Sequence, residues 1–175
     1  ALALAGLLVA CSEPVNTPVE TELRLSQHSM ESHNFGAPLS GAGEVPEVDT
    51  RARGNAIFQL NEDGTELSYR LIAANIENIT QAHIHCGAAT GTGPVVVFLY
   101  PSAPPAMLIP GRFSGVLAEG VRTQANVIPR APSPDCPSGV ATLEDVIELL
   151  RTGGAYANVH TTANPPGEIR GQIAE

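Results

Sequence analysis

Residues 54–73 alternate with a period of two, and that pattern admits little besides antiparallel β-structure. Over residues 54–60, Ala56, Phe58 and Leu60 share one face while Asn55, Ile57 and Gln59 share the other. Asn61-Glu62-Asp63-Gly64 then supplies turn residues. The alternation resumes over residues 66–73, with Leu67, Tyr69 and Leu71 together. Successive side chains of a strand point to opposite faces, so two such runs around an Asp-Gly turn spell a hairpin.

The rest of the chain reads in the same way. Residues 78–86 are expected to form a further strand. Gly91-Thr92-Gly93-Pro94 is a turn, and the β-branched run over 95–99 has the character of a buried strand. Residues 101–111 hold four prolines and read as loop, with a short strand over 112–117. Residues 124–141 hold four more prolines and read as a long irregular loop. One stretch has helical spacing. Thr142 has the chemistry of an N-cap with Asp145 three residues on, and Val146, Ile147, Leu149 and Leu150 follow on one side. Gly153-Gly154 stops it. Residues 155–160 and 168–174 read as closing strands. With 17 glycines and 15 prolines punctuating short strands, the expected fold is all-β. It is an antiparallel Greek-key sandwich or barrel with one short helix near residues 142–152.

Ahead of this domain the chain has a different character. Residues 1–10 carry no charge, yet ten residues fall short of the roughly 20 that span a bilayer. They match the apolar part of a secretory signal ending in small residues. Leu8-Val9-Ala10-Cys11 resembles a bacterial lipoprotein processing box, which implies acylation of Cys11 and cleavage just before it. Acyl chains bury CH₂ groups worth about 0.8 kcal/mol each, enough in number to hold a domain on a membrane. The following residues, with Pro14, Pro18 and many Ser, Thr, Asn and Glu, lack the apolar surface to fold and read as a tether carrying His28 and His33. The expected organisation is therefore a signal remnant over 1–10, a lipidated Cys11 with tether over 11–34, and a β domain over 35–175. The expected location is extracytoplasmic, with the membrane reached through the lipid.

Charge and motif exclude several functions. Acidic residues outnumber basic ones 18 to 9 and no basic run occurs, which argues against nucleic acid. No Ser-His-Asp constellation or nucleophile elbow is present, so no catalytic residue is assigned. Two cysteines remain in the domain, Cys86 and Cys136. In an exported domain an isolated pair points to a disulfide, with free thiols or metal ligation as alternatives.

Three histidines carry the strongest chemical signal. His83 and His85, in Ala82-His83-Ile84-His85-Cys86, lie two apart and project from the same face of a strand. Ile84 points the other way, as does Cys86. His160, in Ala157-Asn158-Val159-His160-Thr161, has Val159 facing opposite to it. If the two strands are neighbours, three imidazoles converge on the outer surface beneath loops. Imidazole suits copper and zinc, and three histidines with an open position make a known metal geometry. The bland alternative is a set of histidines hydrogen-bonded for structure. Glu168 and Arg170, also two apart, could pair as ions; Asn158 and Glu44 could anchor loops.

Several segments together resemble the CHRD domain family. They are the run from Leu39 through Gly43-Glu44-Val45-Pro46, the Asp63-Gly64 hairpin, Ala82-His83-Ile84-His85, Gly93-Pro94 with its valines, and Tyr156-Ala157-Asn158-Val159-His160-Thr161 followed by Asn164-Pro165-Pro166-Gly167-Glu168-Ile169-Arg170-Gly171. The resemblance covers about residues 35–175. It implies a β-rich extracellular module, as in bacterial CHRD lipoproteins, and no particular chemistry. Cys86 departs from the small residue expected after His-Ile-His, and with Cys136 it suggests a lineage-specific bridge. A weaker similarity is to copper-zinc superoxide dismutase, whose barrel also carries a His-x-His strand and a later Val-His on its outer face. His83, His85 and His160 match that pattern. No histidine lies between His85 and His160, so the bridging and zinc-site ligands are missing and dismutase activity is not expected. Two functions follow as expectations. The first is a non-catalytic module binding a protein or cell-envelope partner. The second is a copper- or zinc-binding protein using the three histidines.

Overall fold

The computed structural model describes residues 33–175. Seven strands form one antiparallel sheet: β1 (Asn34–Ser40), β2 (Arg53–Leu60), β3 (Leu67–Cys86), β4 (Val95–Tyr100), β5 (Ile109–Arg122), β6 (Ala155–Thr161) and β7 (Ile169–Gln172). The order is β2-β1-β7-β6-β3-β4, and β2 also pairs with β3, which closes five of the strands into a barrel. β5 pairs with β3 outside that ring. The fold is all-β, and one helix, α1 (Leu143–Thr152), leads into β6.

The hairpin forms as its alternation requires, with Phe58 opposite Tyr69 and Ala56 opposite Leu71. All four side chains are buried in the barrel. The helix starts where its cap predicts. Thr142 Oγ1 accepts from the Asp145 amide at 3.1 Å, and Asp145 Oδ2 accepts from the Thr142 amide at 2.8 Å. It ends at Gly153 with φ 69°, a left-handed turn that favours glycine. Leu143, Val146, Ile147 and Leu150 turn into the core. Burying those four contributes about 6–12 kcal/mol before the entropy of ordering the chain is charged against it.

Two expectations are corrected. The runs over 66–73 and 78–86 are not separate strands but the two halves of β3, twenty residues long. The long strand survives because three extra residues are absorbed as bulges, two of them at Asn75 (φ 57°) and Asn78 (φ 53°), a conformation asparagine tolerates better than most residues. β5 likewise begins at Ile109, so the proline-rich segment before it is shorter than the sequence suggests, and residues 34–40 form a further strand, with Phe35, Ala37 and Leu39 alternating into the core across Gly36 and Pro38. Residues 124–141 are largely irregular, as expected. Cys136 lies among them and is bonded to Cys86 at the end of β3, Sγ–Sγ 2.02 Å.

The bulges decide which way the histidines face. Leu67, Tyr69, Leu71 and Ala73 are buried at odd positions; the inward residues then step by three through Ile76, Ile79 and Ala82, and continue as Ile84 and Cys86. Without those three-residue steps the period of two would carry His83 and His85 into the barrel core. With them, both point outward.

Candidate metal centre

The outward face of β3, β6 and β7 carries a second, polar layer. His85 lies opposite Tyr156, His83 opposite Asn158, and Gln81 opposite His160. Asn158 lies in turn opposite Arg170, and Tyr156 opposite Gln172. Their neighbours Ala82, Ile84, Ala157, Val159 and Ile169 face the core. An outward face normally meets water, yet His83, Asn158 and Arg170 are each 2% exposed. Loops roof them. Arg170 donates to the Gly91 and Ala88 carbonyls at 2.7 and 2.8 Å, and Gln172 Nε2 to the Gly87 carbonyl at 2.9 Å. Asn158 Nδ2 reaches the Pro166 carbonyl at 3.4 Å. Glu168 accepts from the Thr50 and Thr161 hydroxyls, each at 2.8 Å.

Under this roof the three histidines meet. Taking one nitrogen from each of His83, His85 and His160, the three atoms lie within 4.8 Å of one another. Points so spaced share a centre within about 2.8 Å of each, against roughly 2.0–2.1 Å for a metal–imidazole bond. The ring centres are 4.9, 5.5 and 6.0 Å apart. Three imidazoles bound at about 2.0 Å with 120° between the bonds would hold their centres ~5.4 Å apart. The rings thus sit near the spacing a single ion requires, and an ion shared by all three would replace the hydrogen bond between His83 and His160.

Backbone carbonyls fix two of the tautomers. His85 Nδ1 lies 2.8 Å from the Gly93 carbonyl and His160 Nδ1 lies 2.9 Å from the Pro165 carbonyl. A carbonyl only accepts, so each Nδ1 carries the proton and each Nε2 carries the lone pair. His83 Nδ1 is 3.1 Å from His160 Nε2 and donates to it. That leaves His83 Nε2 and His85 Nε2 buried without a well-formed hydrogen bond, Asn158 being the side chain that interacts with His85. Asn158 Oδ1 is in the same state. A buried polar atom left unpaired costs about 1–3 kcal/mol, so three in one place call for a reason.

The electrostatics keep these nitrogens free of protons. Burial, reinforced by the neighbouring His160 and His85, pushes His83 down to about 3. Burial, helped by His160 and Arg170, pushes His85 down to about 4, against hydrogen bonding to the Gly93 carbonyl and to Asn158 that works the other way. His160 is lowered as well, again by burial first. At neutral pH all three are uncharged imidazoles, and the His160 Nε2 lone pair accepts from His83 Nδ1. The walls are aromatic: Phe98 meets the His83 ring edge-on at 4.7 Å, and Tyr156 stacks on His85 at 4.7 Å and 10°. The Arg170 guanidinium lies 3.3 Å from the centre of the same Tyr156 ring.

Each residue singled out by sequence can now be placed. His83, His85 and His160 converge as their spacing implies. Cys86 points into the core, bonded to Cys136 and away from the histidines. Glu168 and Arg170 do not pair as ions, because Glu168 is bound by two hydroxyls and Arg170 by two carbonyls. Asn158 anchors a loop. Glu44 is buried against Gly167, where a Cβ would collide with its carboxyl group and φ is 146°. Cys11, His28 and the expected tether as far as residue 32 fall outside the described residues, whereas the His33 carbonyl accepts from the Leu60 amide at 2.7 Å and Asn34 opens β1. Tyr156, Gly93, Pro165 and Phe98 were not marked by the sequence as parts of the site. A usable signal existed for Tyr156, which shares the face of Asn158 and His160 by the period of two. Gly93 is required because a Cβ there would run into the Cys86 carbonyl, and its own carbonyl orients His85. Among the described residues, no helix is long and apolar enough to cross a membrane.

A family model described as the CHRD domain matches residues 35–173. No curated protein and no solved structure matches the chain.

Proposed function

The chain belongs to the CHRD domain family, and from that premise we propose that it is a metal-binding module, holding one copper or zinc ion between His83, His85 and His160. CHRD domains are extracellular, and the Cys86–Cys136 bridge fits an oxidising compartment. The observation that carries the reading is the pair of buried Nε2 atoms of His83 and His85, neither in a well-formed hydrogen bond, beside His160 Nε2. An ion gives those lone pairs the partner the protein withholds. The carbonyls of Gly93 and Pro165 act as the outer supports that fix ring orientation in metal sites. The role is binding rather than catalysis.

The other expectation was a protein or cell-envelope partner. The geometry favours the ion over it, since the atoms lacking partners lie beneath the loops rather than on display. Acylation of Cys11 would set this module at a membrane surface. A Cys11→Ser protein should lose incorporated fatty acid and appear in the soluble fraction; unchanged membrane association would exclude the lipid anchor.

The test is stoichiometry. Protein incubated with copper or zinc at micromolar concentration and desalted should retain one ion per chain. A His83→Ala/His160→Ala double variant that keeps its far-ultraviolet circular dichroism should retain none. No retention by the native protein at micromolar metal would sink the proposal.

A further inference from the structure

We propose, resting on the metal-ion reading above, that the site selects copper in its +1 state over Zn²⁺ and Cu²⁺. The donor set is the first reason. The cluster consists of His83, His85 and His160 with no carboxylate or thiolate among its members. Three neutral imidazoles cancel none of the ion's charge. The desolvation cost of an ion grows as the square of its charge, so a dication pays about four times what a monocation of the same size pays in a dry site. The site is buried: the three histidines are 2%, 8% and 5% exposed.

The second reason is the nearest fixed charge. Arg170 lies 3.3 Å over the Tyr156 ring, and that ring stacks on His85. The guanidinium is thus one aromatic ring away from a ligand, held there by the Gly91 and Ala88 carbonyls. It repels a +2 ion twice as strongly as a +1 ion at the same distance. Glu44, the carboxylate that interacts with Arg170, offsets part of that charge from the far side of the guanidinium's own pocket, outside the donor set. Nothing in the donor set offsets the repulsion.

Coordination number gives the third. Zn²⁺ seeks a tetrahedral fourth ligand, and Cu²⁺ prefers a tetragonal set of nitrogens and oxygens. Cu⁺ is satisfied by three nitrogens. The ring spacings of 4.9, 5.5 and 6.0 Å describe three donors around one point. Phe98 and Tyr156 close the sides with carbon. The remaining candidate donor is Asn158 Oδ1, buried and unpaired. It is a hard, neutral amide oxygen that would serve Zn²⁺ better than Cu⁺, and it brings no charge.

The experiment uses the full chain with its disulfide intact. Cu⁺, kept reduced anaerobically with hydroxylamine, is titrated against bicinchoninate as competing chelator. Zn²⁺ is titrated against a zinc-responsive indicator. The expected result is one Cu⁺ per chain, bound at least 1,000-fold more tightly than Zn²⁺. An equal preference over Cu²⁺ would raise the copper potential by about 180 mV, at 59 mV per tenfold for one electron. That potential is read directly by redox titration. Zn²⁺ binding as tight as Cu⁺ binding would overturn the selectivity while leaving the metal site standing. Failure of both ions to bind would overturn the two together. Cu⁺ binding that persists in the folded His83→Ala/His160→Ala variant would overturn the assignment of this selectivity to the three histidines.

Discussion

Reducing the bridge between Cys86 and Cys136 should cost this domain about 4 kcal/mol of stability. The two residues are separated by 50 positions, and closing a loop of that length removes that much entropy-derived free energy from the unfolded chain. Both cysteines are buried, at 1% and 0% exposure, and reduction leaves both sulfurs in place, so no cavity term is added. The segment around Cys136 would still be held by the Arg130–Val140 amide pair at 2.7 and 2.8 Å and by Arg130 Nε on the Val95 carbonyl at 2.7 Å. The native state should therefore persist, and the loss falls on the equilibrium with the unfolded chain. The protein has no tryptophan, so urea unfolding is best followed by far-ultraviolet circular dichroism, with thiol labelling to confirm reduction. With a urea slope of about 2 kcal/mol per molar, the midpoint should drop by about 2 M. A drop below about 0.5 M at unchanged slope would refute the loop-closure reasoning.

Three further outcomes are expected. Burial, opposed by the charge of Arg170, raises Glu44 from 4.5 to about 7. The folded state then holds a proton that the unfolded chain releases as pH rises through 4.5 to 7, so Glu44's contribution to stability falls across that window, by about 3 kcal/mol at most. Glu44→Gln should remove this falling limb and gain on the native protein between pH 5 and 8 in urea unfolding; a native–variant difference independent of pH would contradict it. Asn78 has φ 53° and accepts from the Gly111 amide at 2.9 Å. Asn78→Val should cost about 1–2 kcal/mol more than Asn78→Gly, because only the latter keeps the left-handed conformation cheaply; equal melting temperatures would count against a bulge-set register. Gly93→Ala should displace the carbonyl that orients His85 and weaken metal binding about 10–100-fold in a chelator competition, with the circular dichroism retained. Unchanged affinity would show that the carbonyl does not position the ring.

What the sequence made legible is what local patterns control. The hairpin and the helix follow from period, turn and cap, each set within ten or so residues. The three histidines were legible as same-face residues on two strands, and the core positions of Ile84 and Val159 followed with them. The unity of β3 was not legible, because Asn75 and Asn78 look like turn residues and become bulges only when β5 and β6 pair alongside. The outward direction of His83 and His85 came out right by reading residues 78–86 alone. Extending the alternation from Leu67 would have reversed it. The roof over the site lay beyond local pattern altogether, since Arg170 spans about 80 positions to reach Ala88 and Gly91. The same reach explains why an ion pair with Glu168, two residues away, does not form.

In the proposed site His83, His85 and His160 share one ion. X-ray absorption at the copper edge, on protein loaded anaerobically with one Cu⁺ and desalted, tests it most directly. Three nitrogen scatterers at about 2.0 Å with the outer-shell pattern of imidazole are expected. A sulfur shell near about 2.3 Å, or no copper left to measure after desalting, would contradict it.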